Sequence, residues 1–131
     1  MKKAYLGVML TVANNLTKYW HMNWLTINSE EEVDQIYQSA DYAIIYKHSP
    51  RCMTSLMAYR QLKSDVNAAS DVQIPIYYVD VIQNRKESMA IANNFGIVHQ
   101  SPQILVVKNG ECLYDASHED VSLRDSLASL N

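Results

Sequence analysis

The stretch KHSPRCMTSLMAYRQL, Lys47 to Leu62, holds the arrangement in this chain best suited to covalent chemistry. Cys52 opens a C-x-x-S tetrad, Cys52-Met53-Thr54-Ser55, where an apolar run gives way to helical periodicity. At a helix N-terminus the unpaired backbone N–H groups and the helix dipole stabilise an anion, so a thiol placed there is more acidic and more often the nucleophilic thiolate. Lys47 and Arg51 can add positive potential. Ser55 cannot form a disulfide, so Cys52 must exchange with an external thiol rather than with a partner three residues on. A lone cysteine is more often a small buried hydrophobe. The strand-to-helix position of Cys52 weighs against that here.

A second chemical marker is Ser101-Pro102, directly before another apolar run. X-Pro is the one bond at which a cis peptide is cheap, and a proline here would otherwise disturb a strand ladder, so a cis Pro102 is expected to turn the backbone.

The elements that must position these residues follow from periodicity. Trp24 to Ile27 alternates and reads as a short edge strand, and Ser29 with Glu32 forms a capping box for a helix to about Gln38, with Val33, Ile36 and Tyr37 on its buried face. YAIIY, Tyr42 to Tyr46, is a near-continuous apolar run, as in a central strand covered on both faces. The helix carrying the tetrad runs to about Ala68, with Pro50 barring an earlier start. IPIYYV, Ile74 to Val79, is a second buried strand, followed by a turn from Asp80 to Asn84 and a helix from about Lys86 to Phe95 that Gly96 ends. QILVVK, Asn109-Gly110 and ECLYDA make a hairpin with a two-residue turn, and Leu123, Leu127 and Leu130 mark a closing helix. The fold class is therefore α/β, a mixed central sheet with a C-terminal β-hairpin and helices on both faces.

This order places further residues. Cys112, beyond the hairpin turn, lies at the far end from Pro102, roughly 20 Å away at about 3.3 Å per residue, whereas a disulfide needs Cα atoms within about 7 Å. Cys112 reads as structural. The return strand ends near His118, His48 ends the first buried strand, and His99 precedes Pro102, so three of the four histidines gather at the Cys52 pole. One or more can tune the thiolate or donate to a leaving thiol. Alternatively His48 and His99 are solvent-facing loop residues, and His118 is the better candidate. A Cys-plus-His metal site lacks tight ligand spacing, so no metal is assigned. Asp80 and Arg85 read as a loop salt bridge, or Arg85 as a hold for a carboxylate.

Composition limits the partners. The chain has 131 residues, 48% hydrophobic and 19% charged, fitting one globular domain, here residues 23–131. A net charge of -3 offers no cationic field, so neither nucleic acid nor a membrane surface is an expected partner. Two cysteines make no disulfide framework, which fits a reducing, cytoplasmic setting. Residues 1–22 form an uncertain extension. Lys2 and Lys3 precede about ten mostly apolar residues, too few to span a bilayer. They have the outline of an export signal, but Thr11 and Ala13 are weak cleavage residues; an added element or an over-long start before Met22 is the better reading.

Strand-Cys-helix, strand-helix, X-Pro, hairpin and helix is the order of the thioredoxin fold, which the chain resembles from about Trp24 to Leu130. KHSPRCMTS (47–55), YYVDVIQNR (77–85), FGIVHQSPQILVVKNG (95–110) and ASHED (116–120) resemble the YtxJ family of monothiol, glutaredoxin-like bacilliredoxins. That resemblance implies removal of bacillithiol, a low-molecular-weight thiol, from mixed disulfides on S-thiolated proteins. It implies no bound cofactor, with bacillithiol as a co-substrate. It also implies that Cys52 is the nucleophile, Ser55 takes the place of a resolving cysteine, and Pro102 is the cis proline beside the sulfur. The family has Pro after the cysteine, where this chain has Met53. Loss of that ring frees a backbone N–H toward the thiolate and puts an adaptable apolar side chain at the mouth of the site. The alternative functions are a non-catalytic thioredoxin-like adaptor and a redox sensor that dimerises through Cys52.

Overall fold

The structure, a computed structural model, describes residues 24–69 and 73–130, and the expected extension at residues 1–22 lies outside them. Trp24–Thr26 forms an edge strand, β1. It leads into helix α1, Glu30–Gln38, through the capping box read from the sequence: Glu32 N–H donates to the Ser29 hydroxyl at 3.2 Å, and Ser29 N–H donates to the Glu32 carboxylate at 3.1 Å. Glu30, Glu31 and Glu32 also face the positive end of the helix.

Strand β2, Ala43–His48, is buried along its whole length, because it lies at the centre of the sheet. The strand order is β1-β3-β2-β4-β5, with β3 at Ile76–Asp80, β4 at Gln103–Lys108 and β5 at Glu111–Ser117. β2 runs parallel to β3 and antiparallel to β4, which makes the sheet mixed. Alternate residues of β2 serve two cores. Ala43 and Ile45 join Val33, Ile36, Ile91 and Phe95 under α1 and α3 (Arg85–Phe95), while Ile44 and Tyr46 join Leu62, Val66 and Leu123 under α2 (Met53–Ala68) and α4 (Leu123–Ala128).

Two turns fix the hairpin and the end of α3. Asn109 and Gly110 both have positive φ, 53° and 74°, the backbone that a two-residue hairpin turn matched to strand twist requires. Gly96 closes α3 at φ 67°, and its N–H donates to the Ala92 carbonyl. The register of β4 on β5 shifts between Val106 and Val107, so Leu113 is an extra residue between Cys112 and Tyr114. Gln103 pairs with Ser117 and Val107 with Cys112, which puts Cys112 four residue steps, roughly 13 Å, from the Pro102 end.

Candidate active site

Loop Ser49-Pro50-Arg51 carries the chain from the end of β2 into α2, closed by a hydrogen bond from Cys52 N–H to the Ser49 carbonyl at 3.1 Å. Cys52 is the N-cap of α2, half-buried, with extended backbone (φ -113°, ψ 124°). Its sulfur thus stands where a capping oxygen would accept from the second or third helical N–H. Those N–H groups belong to Thr54 and Ser55. They lower the Cys52 pKa from its ordinary range, the Ser55 N–H most, helped by the Ser55 hydroxyl and by the N–H and hydroxyl of Thr54, while partial desolvation works the other way. The thiol closes no full cap hydrogen bond. Sulfur contacts are long in the neutral state, and they gain strength from charge once the sulfur ionises.

This corrects two expectations. The Met53 N–H is not among the groups acting on the sulfur. Nor is Lys47, whose side chain is fully buried on the face of β2 opposite α2, with Nζ 3.1 Å from His99 Nδ1. Burial lowers the Lys47 pKa to about 8. A protonated ammonium can only donate, so His99 Nδ1 accepts, and the neutral imidazole carries its proton on Nε2. Ser88 Oγ lies 3.3 Å from the same Nδ1. Burial, Lys47 and Arg85 all push the His99 pKa down, consistent with a neutral ring.

The Ser101-Pro102 peptide is cis. The pairing of Gln103 with Lys47 sets Pro102 beside the end of β2, from which the Cys52 loop departs. Its segment is tied down from two sides. His118 N–H donates to the Pro102 carbonyl at 2.9 Å, and His118 Nε2 lies 3.1 Å from Gln100 Oε1. Buried Gln103 donates from Nε2 to the Val98 carbonyl at 3.0 Å, and its Oε1 has no partner. His118, in a left-handed backbone at φ 57°, thus braces the proline loop with its main chain and its side chain.

The three histidines do collect at this pole, but not as loop residues alike. His48 is 3% exposed, not a solvent-facing loop residue, because it ends a strand covered on both faces. Its ring packs among Tyr46, Tyr59 and Tyr78, with centroids 5.0 Å from Tyr59 and 5.4 Å from Tyr78. The Asp80–Arg85 salt bridge does not form among the described residues: Asp80 accepts from the N–H groups of Ile82 and Gln83, both at 2.9 Å, and Arg85 stays exposed. Arg51 is exposed beside Cys52. Cys112 is a free, half-buried thiol whose burial raises its pKa to about 11, and it donates to the Tyr114 carbonyl at 3.3 Å. Among the described residues no group of three His, Cys, Asp or Glu side chains is placed to hold a metal ion, and no helix is long and apolar enough to cross a membrane.

Tyr46, Ser49 and Thr54 are the members of the site that sequence reasoning missed. Ser49 donates its N–H to the Ser55 hydroxyl oxygen at 3.2 Å, and the Tyr46 hydroxyl donates to the Ser55 carbonyl at 2.9 Å. Thr54, inside the tetrad, was legible by its spacing from the N-cap. Next to Cys52 in the chain, Met53 is 68% exposed, and Leu56 and Met57 in the same first turns of α2 are exposed as well.

Residues 25–125 match the family described as monothiol bacilliredoxin BrxC. Among solved structures, one described as a proposed oxidoreductase with a thioredoxin fold superposes with a TM-score of 0.73 at 26% identity, over 86% of this chain and 98% of that one. Thioredoxin from Trypanosoma brucei brucei superposes with a TM-score of 0.65 at 16% identity, over 81% and 88%. Thioredoxin from Fasciola hepatica gives 0.62 at 12% identity, over 81% and 98%. The sheet order and the helix layers described above are thus those of the thioredoxin fold.

Proposed function

The chain belongs to the monothiol bacilliredoxin family, whose chemistry is thiol-disulfide exchange, and from that premise we propose that it removes bacillithiol from S-thiolated proteins through Cys52. The observation that carries the reading is the placement of Cys52 at the N-cap of α2, with the Ser55 and Thr54 donors lowering its pKa. Ser55, buried and hydrogen-bonded, supplies no second sulfur, so resolution must come from outside.

The Cys52 thiolate attacks the bacillithiol sulfur of the mixed disulfide. The S–S bond between the client cysteine and bacillithiol breaks, a Cys52–bacillithiol disulfide forms, and the client leaves as a thiolate that takes a proton from solvent. A second bacillithiol thiolate then attacks the bacillithiol sulfur on Cys52, giving bacillithiol disulfide and restoring Cys52. Overall the client thiol is restored and one free bacillithiol is oxidised, the pair leaving as bacillithiol disulfide. Pro102 and His118 shape the wall beside the sulfur, Met53 and Arg51 form the rim, and Arg85 is a hold for a carboxylate of the small thiol. The setting is cytoplasmic, and no bound cofactor is needed.

A lowered thiol pKa argues against a purely adaptor role, which would leave Cys52 near the free value of about 8.5. The direct test is release of bacillithiol from a client protein thiolated in advance, followed by intact mass with free bacillithiol present. Release by the parent chain and none by Cys52→Ser is expected. Equal release by both would remove Cys52 from the reaction, and a disulfide-linked doubled mass in its place would indicate a dimerising sensor.

A further inference from the structure

Behind the groups that touch the sulfur lies a buried chain that no exchange step uses. Tyr46, fully buried, and His48 both project from β2 toward the α2 side. The Tyr46 hydroxyl oxygen is 2.9 Å from the Ser55 carbonyl and 3.2 Å from His48 Nδ1. A hydroxyl has one proton, and a carbonyl can only accept. The Tyr46 proton therefore goes to Ser55, and His48 Nδ1 must itself carry a hydrogen and donate to the Tyr46 oxygen. That fixes the imidazole as the Nδ1–H tautomer, with Nε2 as its basic nitrogen. Burial favours this neutral ring and lowers its pKa; Lys63 on α2 acts in the same direction, and Asp80 on β3 opposes. Tyr59 and Tyr78 wall the ring in.

Ser55 is the residue on which this chain ends, and it is also the largest donor to Cys52. Its hydroxyl oxygen is held by Ser49 N–H and its carbonyl by Tyr46, so the first turn of α2 is fixed at two points, one on β2 and one on the loop that follows it. We propose that Tyr46 and His48 are positioning residues for Cys52: the His48 Nδ1–H directs the Tyr46 proton onto the Ser55 carbonyl, which holds the first turn of α2 where the Ser55 N–H and hydroxyl face the sulfur. Neither residue touches the substrate. The role deepens the proposed function and rests on Cys52 being its nucleophile.

The test uses the full chain carrying Cys112→Ser, which leaves Cys52 as its one thiol. The rate of alkylation by iodoacetamide against pH gives the Cys52 pKa without bacillithiol, so failure of the exchange reading and failure of positioning are read separately. Tyr46→Phe and His48→Gln are each expected to raise that pKa by about half a unit to one unit, a roughly three- to tenfold loss of thiolate at low pH. His48→Asn, whose amide N–H falls near the place of Nδ1, is expected to stay within about 0.2 unit of the parent. An unchanged pKa in Tyr46→Phe and His48→Gln, with only lower melting temperatures, would reduce both residues to packing and overturn the proposal. So would equal shifts in His48→Asn and His48→Gln. Nitrogen-15 spectra of the unsubstituted imidazole give a check that needs no variant to fold: Nδ1–H is expected for His48, and Nε2–H would overturn the proposal.

Discussion

Ser49 donates its backbone N–H to the Ser55 hydroxyl oxygen at 3.2 Å, and both residues are buried. The contact occupies a lone pair of that oxygen and leaves its single proton free for the Cys52 sulfur. One serine thus ties the start of the loop to the helix and aims a donor at the thiol.

Ser55→Ala should therefore act in two ways. The buried Ser49 N–H loses its acceptor, which costs about 1–3 kcal/mol, and the Cys52 pKa rises by a fraction of a unit because the stronger Ser55 N–H remains. Urea denaturation and alkylation against pH read the two effects. A full return of the thiol to its free value would show that the hydroxyl, not the backbone, dominates.

Met53→Pro should leave the thiolate nearly unchanged. Met53 is the first helical residue after the Cys52 cap, a position whose N–H has no helical partner and where proline is tolerated. The donors that act on the sulfur belong to Ser55 and Thr54. Alkylation rates within about twofold of the parent are expected, while exchange rates with bacillithiol and glutathione disulfides change relative to one another, because an exposed thioether gives way to a ring. A large change in alkylation rate would return the Met53 N–H to the site.

Lys47 gives a pH dependence of known sign. Its folded pKa of about 8 lies below the ordinary value of 10.5, so between those values the unfolded chain binds more protons and stability rises with pH. The destabilisation is complete well below pH 8 and gone above 10.5, and it amounts to roughly 3–4 kcal/mol at about 1.4 kcal/mol per unit. The difference in unfolding free energy between the parent and Lys47→Met, followed from pH 7 to 10.5, isolates this group from the tyrosines and Cys112. A difference that does not change with pH would mean that Lys47 titrates normally.

The path of the chain and the place of the thiol were legible in the sequence, because they rest on local signals. Pro50 marks the start of α2, Ser29 and Glu32 the capping box, Asn109-Gly110 the hairpin, and Pro102 the cis bond. Lys47 and His48 were misjudged for a different reason. Adjacent strand residues point to opposite faces, and only coverage of both faces by helices decides that neither is solvated. Tyr46 sat unnoticed in the apolar run YAIIY because the acceptor of its hydroxyl, Ser55, is nine residues away on another element. Arg85 was paired with Asp80 on sequence proximity alone, although an aspartate ahead of a turn commonly takes the N–H groups two and three residues on.

Two glycines should differ in their tolerance of a side chain. Gly96→Ala meets no atom within 4 Å, so it costs only the left-handed backbone, about 1 kcal/mol. Gly110→Ala carries the same strain and sets its Cβ 3.3 Å from the Tyr37 carbonyl oxygen, so it should cost more. Chemical denaturation of the two variants gives the order. A reversed order would place the hairpin turn away from α1.

The central claim, that Cys52 is a monothiol exchanger, is tested most directly by intact mass after brief exposure to bacillithiol disulfide, with glutathione disulfide in parallel. The parent chain and Cys112→Ser should each gain the mass of one bacillithiol, removable by reductant, and Cys52→Ser should gain none. A Cys52→Ser chain that still takes up the adduct, or a parent chain that takes up none, would contradict the claim.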